Sequence, residues 1–163
     1  DPEKMPMCSL TTSENEVAAM GGDAAAGHLT SAPYFMVHES AENEKFVSAY
    51  KKKWGSDKVT HFVSEPAYFG VGIFKQAVEK IGTAGDINPT AIMEACKGQE
   101  IMAPQGKIKI DPENLHCYLW PKIGICKSNG QYDILKKTDT WLKPVPYAAY
   151  PDQTCTESGL IKV

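Results

Sequence analysis

The sequence predicts an α/β chain carrying pieces of two lobes, with a mainly parallel sheet followed by terminal β-hairpins. Three observations lead there. Strand-like and helix-like segments alternate through the first part of the chain, as they do where strands lie parallel. After Gly98 the pattern changes to closely spaced strands punctuated by turn residues, which a complete doubly wound domain does not show. The composition, 42% hydrophobic and 23% charged, is that of an ordinary globular protein and excludes disorder and a coiled coil.

Lys4 to Leu10 reads as a short buried strand that ends in the polar break Thr11-Thr12-Ser13. Ser13-Glu14-Asn15-Glu16 has the form of a capping box, so a helix is expected from Glu14 to Met20, stopping at Gly21-Gly22. Gly27 to Phe35 reads as a second strand, with Pro33 placing its end near a sheet edge. Ala41 to Trp54 is amphipathic: Phe46, Val47, Tyr50 and Trp54 recur at three- and four-residue spacing, with Ser40 as cap and Gly55 as stop. Val59 to Val63 reads as a short extended piece. Ser64-Glu65-Pro66 then opens a helix to Ile81, with Ser64 as cap and Pro66 in the first turn, burying Phe69, Ile73, Phe74, Ala77 and Ile81. Asn88-Pro89 opens a shorter helix to Lys97-Gly98. Strands are expected at Glu100–Ala103, Gly106–Ile110, Leu119–Lys127 and Tyr132–Leu135. Asn129-Gly130 predicts a hairpin joining the last two.

Charge narrows the partners. The net charge is -3, all 17 basic residues are Lys, and no basic block appears, so nucleic acid is not expected as a partner. The longest apolar run, Ala67 to Phe74, is too short to span a bilayer. The start at Asp-Pro-Glu-Lys contains no h-region and reads as a processed product or a piece of something longer. Five cysteines, at 8, 96, 117, 126 and 155, form no CxxC pair, and neither they nor the four His show zinc-ligand spacing, so no metal is expected. Cys117 and Cys126 bracket an apolar stretch and form a possible disulfide in an oxidising compartment; buried thiols are the alternative.

Several short motifs, in order, carry a resemblance. They are Ser9-Leu10-Thr11-Thr12-Ser13-Glu14-Asn15-Glu16-Val17, then Gly27-His28, Ala32-Pro33-Tyr34-Phe35 and Glu65-Pro66-Ala67-Tyr68-Phe69. Ala103 to Asp111, Asn114-Leu115-His116, Gly130 to Asp133 and Lys143 to Tyr147 follow. Together they resemble the C-terminal half of type I periplasmic solute-binding proteins, in the branch that holds the amide-sensing protein of the aliphatic amidase system and the urea and short-chain-amide binders of ABC importers. Lys107 departs from the proline usual in that family. The resemblance implies a partial periplasmic-binding-protein-like type I fold, two α/β lobes joined by three crossover strands with ligand held between them. By that analogy 1–26 belongs to lobe 2, 27–35 is a crossover strand, 36–103 a lobe 1 helical segment, 104–150 the return crossover and closing strands, and 151–163 a tail. It also implies a chain that lacks the family's N-terminal half.

The same resemblance places an amide contact on Thr11 and Thr12, whose hydroxyls follow a strand end, where ligands sit in open α/β sheets. A helix cap is the competing role for this segment, and Ser13 suits it. Tyr34 is expected to wall the cleft or hinge, or to pack as a strand-end aromatic. Glu65 is expected to accept NH groups across the cleft, or to sit as a favourable carboxylate at a helix start. No nucleophile elbow, HExxH or glycine-rich phosphate loop appears, so no enzyme and no cofactor are expected. The expectation is a binding component for a small neutral amide or urea, serving an ABC permease from the periplasm or as a secreted protein. Its rivals are a cytoplasmic amide-sensing regulator, and an assembly protein that kept the fold. A second chain, the N-terminal half or a homo-oligomer is expected to cover its open faces.

Overall fold

The computed structural model describes residues 1–82 and 85–145. Two sheets share the chain. The first has four strands in the order β1-β2-β6-β7, formed by Cys8–Ser9, Leu29–Ala32, Lys122–Cys126 and Tyr132–Lys137. The second has three, β3 (Glu100–Ala103), β4 (Gly106–Ile110) and β5 (Cys117–Tyr118). The α/β class holds, but the sheets are mixed: β1 and β2 pair in parallel, and the other strand pairings among the described residues are antiparallel. Short turns account for the β3–β4 and β6–β7 pairings, because a two- to five-residue turn can only join antiparallel neighbours. β6 meets β2 antiparallel after the chain has returned from the second sheet.

Around the first sheet lie α1 (Glu14–Met20) and α2 (Gly22–Ala25). Val17, Ala25, Ala32, Phe35, Cys126 and Tyr132 form its core. The capping motif works as its sequence suggests: the Glu16 carboxylate accepts the Ser13 N–H at 2.9 Å and also the Ser13 hydroxyl. The helices α3 (Ala41–Trp54), α4 (Ser64–Ile81) and α5 (Pro89–Cys96) accompany the second sheet. Its core is Phe69, Ala103 and Ile108, with Ile73, Ile101 and Leu119 packed on it. Phe74, expected inside, is 54% exposed, because α4 has no described element against that side.

Several element limits differ from the sequence reading. The strand expected over Lys4 to Leu10 shrinks to β1, and no strand forms over Val59 to Val63. Ser64 lies inside α4 instead of capping it; its hydroxyl accepts from the His61 N–H and donates to the His61 carbonyl, both at 2.9 Å. The strand expected over Leu119 to Lys127 shrinks to β6, and β5, which ends just before Leu119, belongs to the other sheet. β3 and β4 pair with each other across the boundary expected at 103/104. The tail 151–163 and Cys155 lie outside the described residues.

Among those residues the chain passes between the sheets three times. Residues 33–40 lead from β2 to α3, 119–121 from β5 to β6, and 138–142 leave β7, where Leu142 bridges Leu119 in antiparallel fashion. This topology also corrects the disulfide expectation. Cys117 and Cys126 stand on strands of different sheets, and both are free thiols, as are Cys8 and Cys96.

Candidate functional site

The first two crossovers meet in a buried polar junction, and the third joins the second beside it, where the Thr138 N–H donates to the Pro121 carbonyl at 3.1 Å. Lys122, 2% exposed at the start of β6, donates from Nζ to the Pro33 carbonyl at 2.6 Å and to the Trp120 carbonyl at 3.1 Å. One ammonium thereby ties the first crossover to the second. Glu65, in the first turn of α4, is 0% exposed; its carboxylate accepts from Gln105 Nε2 at 2.9 Å and from the Gln105 N–H at 3.3 Å. Gln105 Oε1 in turn accepts the Trp120 N–H at 3.3 Å. Gln105 can reach both because Gly106, at φ 124, turns the β3–β4 hairpin so tightly that Ala103 pairs with Gly106.

The first crossover is held along its length. Tyr34 OH donates to Asn43 Oδ1 at 2.8 Å and shares a hydrogen bond with Thr60 Oγ1 at 2.7 Å. Asn43 Nδ2 donates to the Met36 and His38 carbonyls at 2.9 and 2.6 Å. Ser40 caps α3 by accepting from the Asn43 N–H, and its hydroxyl donates to the Pro104 carbonyl at 3.0 Å. From the other side, Glu14 Oε1 accepts the Met36 N–H at 2.6 Å. Burial pushes the Glu14 and Glu65 carboxyls up to about 7, against the lowering effect of their hydrogen bonds. Burial likewise brings the Lys122 ammonium down to about 8, with Glu65 opposing the fall.

The Thr11-Thr12 segment lies at the C-terminal end of β1, on the side of the sheet from which the crossovers leave. Both N–H groups donate to Ser9 Oγ, at 3.1 and 2.9 Å. The Thr12 carbonyl accepts from Thr30 Oγ1 at 2.9 Å and from Tyr132 OH at 3.2 Å. The backbone is thus fixed while Thr11 is exposed and Thr12 half-buried. Neither threonine hydroxyl has a hydrogen-bond partner among the described residues. Beside Thr12 lies a small pocket of about 80 Å³, lined by Met7, Ser9, Thr30, Tyr132 and Cys126 among others.

The four residues singled out from the sequence therefore divide. Thr11 and Thr12 stay together at an open strand end. Tyr34 and Glu65 do not join them as contacts at a cleft surface. Both are 0% exposed with their polar atoms bonded within the chain, so their sites are internal supports of the crossovers. The sequence reading missed Lys122, Gln105, Asn43 and Glu14. Gln105 lay inside a quoted motif, yet its partner Glu65 is forty positions away, and no local period links them.

A family model described as "Periplasmic binding protein domain" matches residues 1–153. The chain is 36% identical over 105 residues to Leu/Ile/Val-binding protein homolog 6 of Brucella abortus (strain 2308), which covers 64% of this chain and 26% of that protein. The chain thus spans about a quarter of the length of the curated relatives it matches. Among solved structures it resembles the solute-binding protein of an ABC transporter from Rhodopseudomonas palustris BisB5 in complex with 3,4-dihydroxybenzoic acid. The TM-score is 0.64 and the identity 32%, over 75% of this chain and 33% of the other. A second such protein, from R. palustris HaA2 with p-hydroxybenzoic acid, gives a TM-score of 0.69 at 25% identity, over 84% of this chain and 38% of the other.

Proposed function

This chain belongs to the periplasmic binding protein family, and from that premise we propose that it is part of a solute-binding protein serving an ABC importer, which captures solute by closing two lobes without catalysis. The observation that carries this reading is the junction of three crossovers between two sheets, held by the buried ties of Lys122, Glu65 and Tyr34. Closure needs segments that bend as a set, and a shared polar network couples them. The partner is an importer permease, and the compartment is the periplasm or the exterior.

For the solute we propose a small neutral amide or urea at the Thr11–Thr12 end. Two unpartnered hydroxyls on a fixed backbone offer donors and acceptors without a charge, which suits a group that carries both. A pocket of about 80 Å³ beside Thr12 suits a solute of few atoms. A second reading, an aromatic acid, is favoured by the 32% identical R. palustris protein and its dihydroxybenzoate. Amide-resolved NMR separates the two. Acetamide is expected to move the Thr11, Thr12 and Ser13 signals while 4-hydroxybenzoate leaves them in place. Movement of those signals by 4-hydroxybenzoate alone would replace the amide reading with the second.

A further inference from the structure

A second pocket, of about 400 Å³, takes a wall from each crossover. His38 comes from the first, Trp120 from the second, and Thr138 and Asp139 from the third, with Lys122 and Lys137 from β6 and β7. Its volume lies in the range of ligand pockets. It is distinct from the Thr11–Thr12 end, because β2 and β6 stand between β1 and β7 in the sheet. Three strand spacings of about 4.8 Å put the two ends about 14 Å apart.

The donors in this pocket exceed what the chain itself uses. Thr138 Oγ1 is buried with no hydrogen-bond partner. The His38 imidazole makes no hydrogen bond, and Lys137 no ion pair, among the described residues. Lys122 spends two of its three N–H groups on carbonyls and keeps one. The local field is positive: burial first, then Lys122 and Lys137, hold the His38 imidazole down to about 4. Asp139 is the one acid of the lining, and it is exposed at the mouth. Trp120 adds an aromatic wall, fixed by its Nε1–H donating to the Lys107 carbonyl at 2.6 Å.

We propose that this pocket is an anion subsite for a small monocarboxylate, with Lys137, His38 and Thr138 donating to the carboxylate and Trp120 against its body. A single negative charge offsets the repulsion between Lys122 and Lys137, favours protonation of the imidazole and satisfies the buried hydroxyl. This site stands independently of the amide reading at Thr11 and Thr12. The experiment follows the His38 ring signals by NMR through a pH titration of the full chain, with sodium benzoate, with its neutral counterpart benzamide, and without either. Benzoate is expected to raise the His38 midpoint by about one unit, a tenfold shift in its protonation equilibrium, while benzamide leaves it unchanged. Lys137→Gln, at the exposed end of β7, and Thr138→Val, a change of near-equal volume just beyond it, are expected to reduce that rise with the amide spectrum otherwise preserved. An unmoved His38 midpoint in benzoate would overturn the proposal. So would an equal rise in Lys137→Gln, or a response to inorganic phosphate as large as that to benzoate.

Discussion

Glu14 and Glu65 are the residues whose chemistry departs furthest from what their surroundings in sequence suggest. Each occupies the first turn of a helix, where a carboxylate is ordinarily solvated and favoured by the helix dipole. Packing against a crossover instead buries each and raises its carboxyl to about 7 from a usual 4.5. The folded state therefore holds more protons than the unfolded state between those values. Stability is fullest below pH 4.5 as far as these two groups are concerned, and is lost as pH rises through 7, by about 3 kcal/mol for each. Glu65→Gln keeps an acceptor for Gln105 and removes one titration. Urea unfolding at pH 5 and pH 8 is expected to show a smaller pH difference in this variant than in the parent, and an unchanged difference would show that Glu65 titrates normally. At β7, Tyr132→Phe removes the bonds to Thr30 Oγ1 and the Thr12 carbonyl. A loss of about 1 kcal/mol is expected from the same measurement.

The elements show which features are written locally. The starts of α1, α3 and α5 were legible because caps act within four residues. Ser13, Ser40 and Asn88 all stand at helix N-termini, and Asn88 Oδ1 accepts the Ala91 N–H at 3.0 Å. The Asn129-Gly130 hairpin was legible for the same reason: Gly130 adopts φ 80, and its N–H donates to the Lys127 carbonyl at 2.9 Å. Strand limits were not legible, since a strand extends only as far as its neighbour pairs with it. Lys4 to Leu10 has a strand-like composition, but only Cys8 and Ser9 find partners, Leu29 and Thr30. Ser40 shows how a local role can hide a distant one, because its hydroxyl both caps α3 and donates to Pro104. Ser40→Ala is expected to cost more than Asn88→Ala, about 2 against about 1 kcal/mol, measured by thermal unfolding. Equal losses would mean that the Pro104 bond contributes nothing.

At the scale of the molecule, the fold class and the proposal for Thr11–Thr12 came from motifs in order along the chain, while the crossover junction did not. Lys122, Gln105 and Glu65 are brought together by topology, and nothing in their separate neighbourhoods marks them as partners. The apolar surface also belongs to this scale. Met5, Met7 and Leu10 are exposed around the free edge of β1, and Val71, 70% exposed, lies with Tyr68 and Phe74 on the open side of α4. Contiguous patches of that kind mark interaction surfaces. Light scattering is expected to find the chain on its own associated, and a monodisperse 17.8 kDa species would contradict this. Calorimetric titration of acetamide tests the proposed contact of Thr11 and Thr12 with a neutral solute most directly. Saturable binding that weakens about tenfold in Thr12→Val, as the loss of one hydrogen bond worth about 1.4 kcal/mol requires, is the predicted result. Binding of the same strength in Thr12→Val, or saturable heat with 4-hydroxybenzoate and none with acetamide, would contradict it.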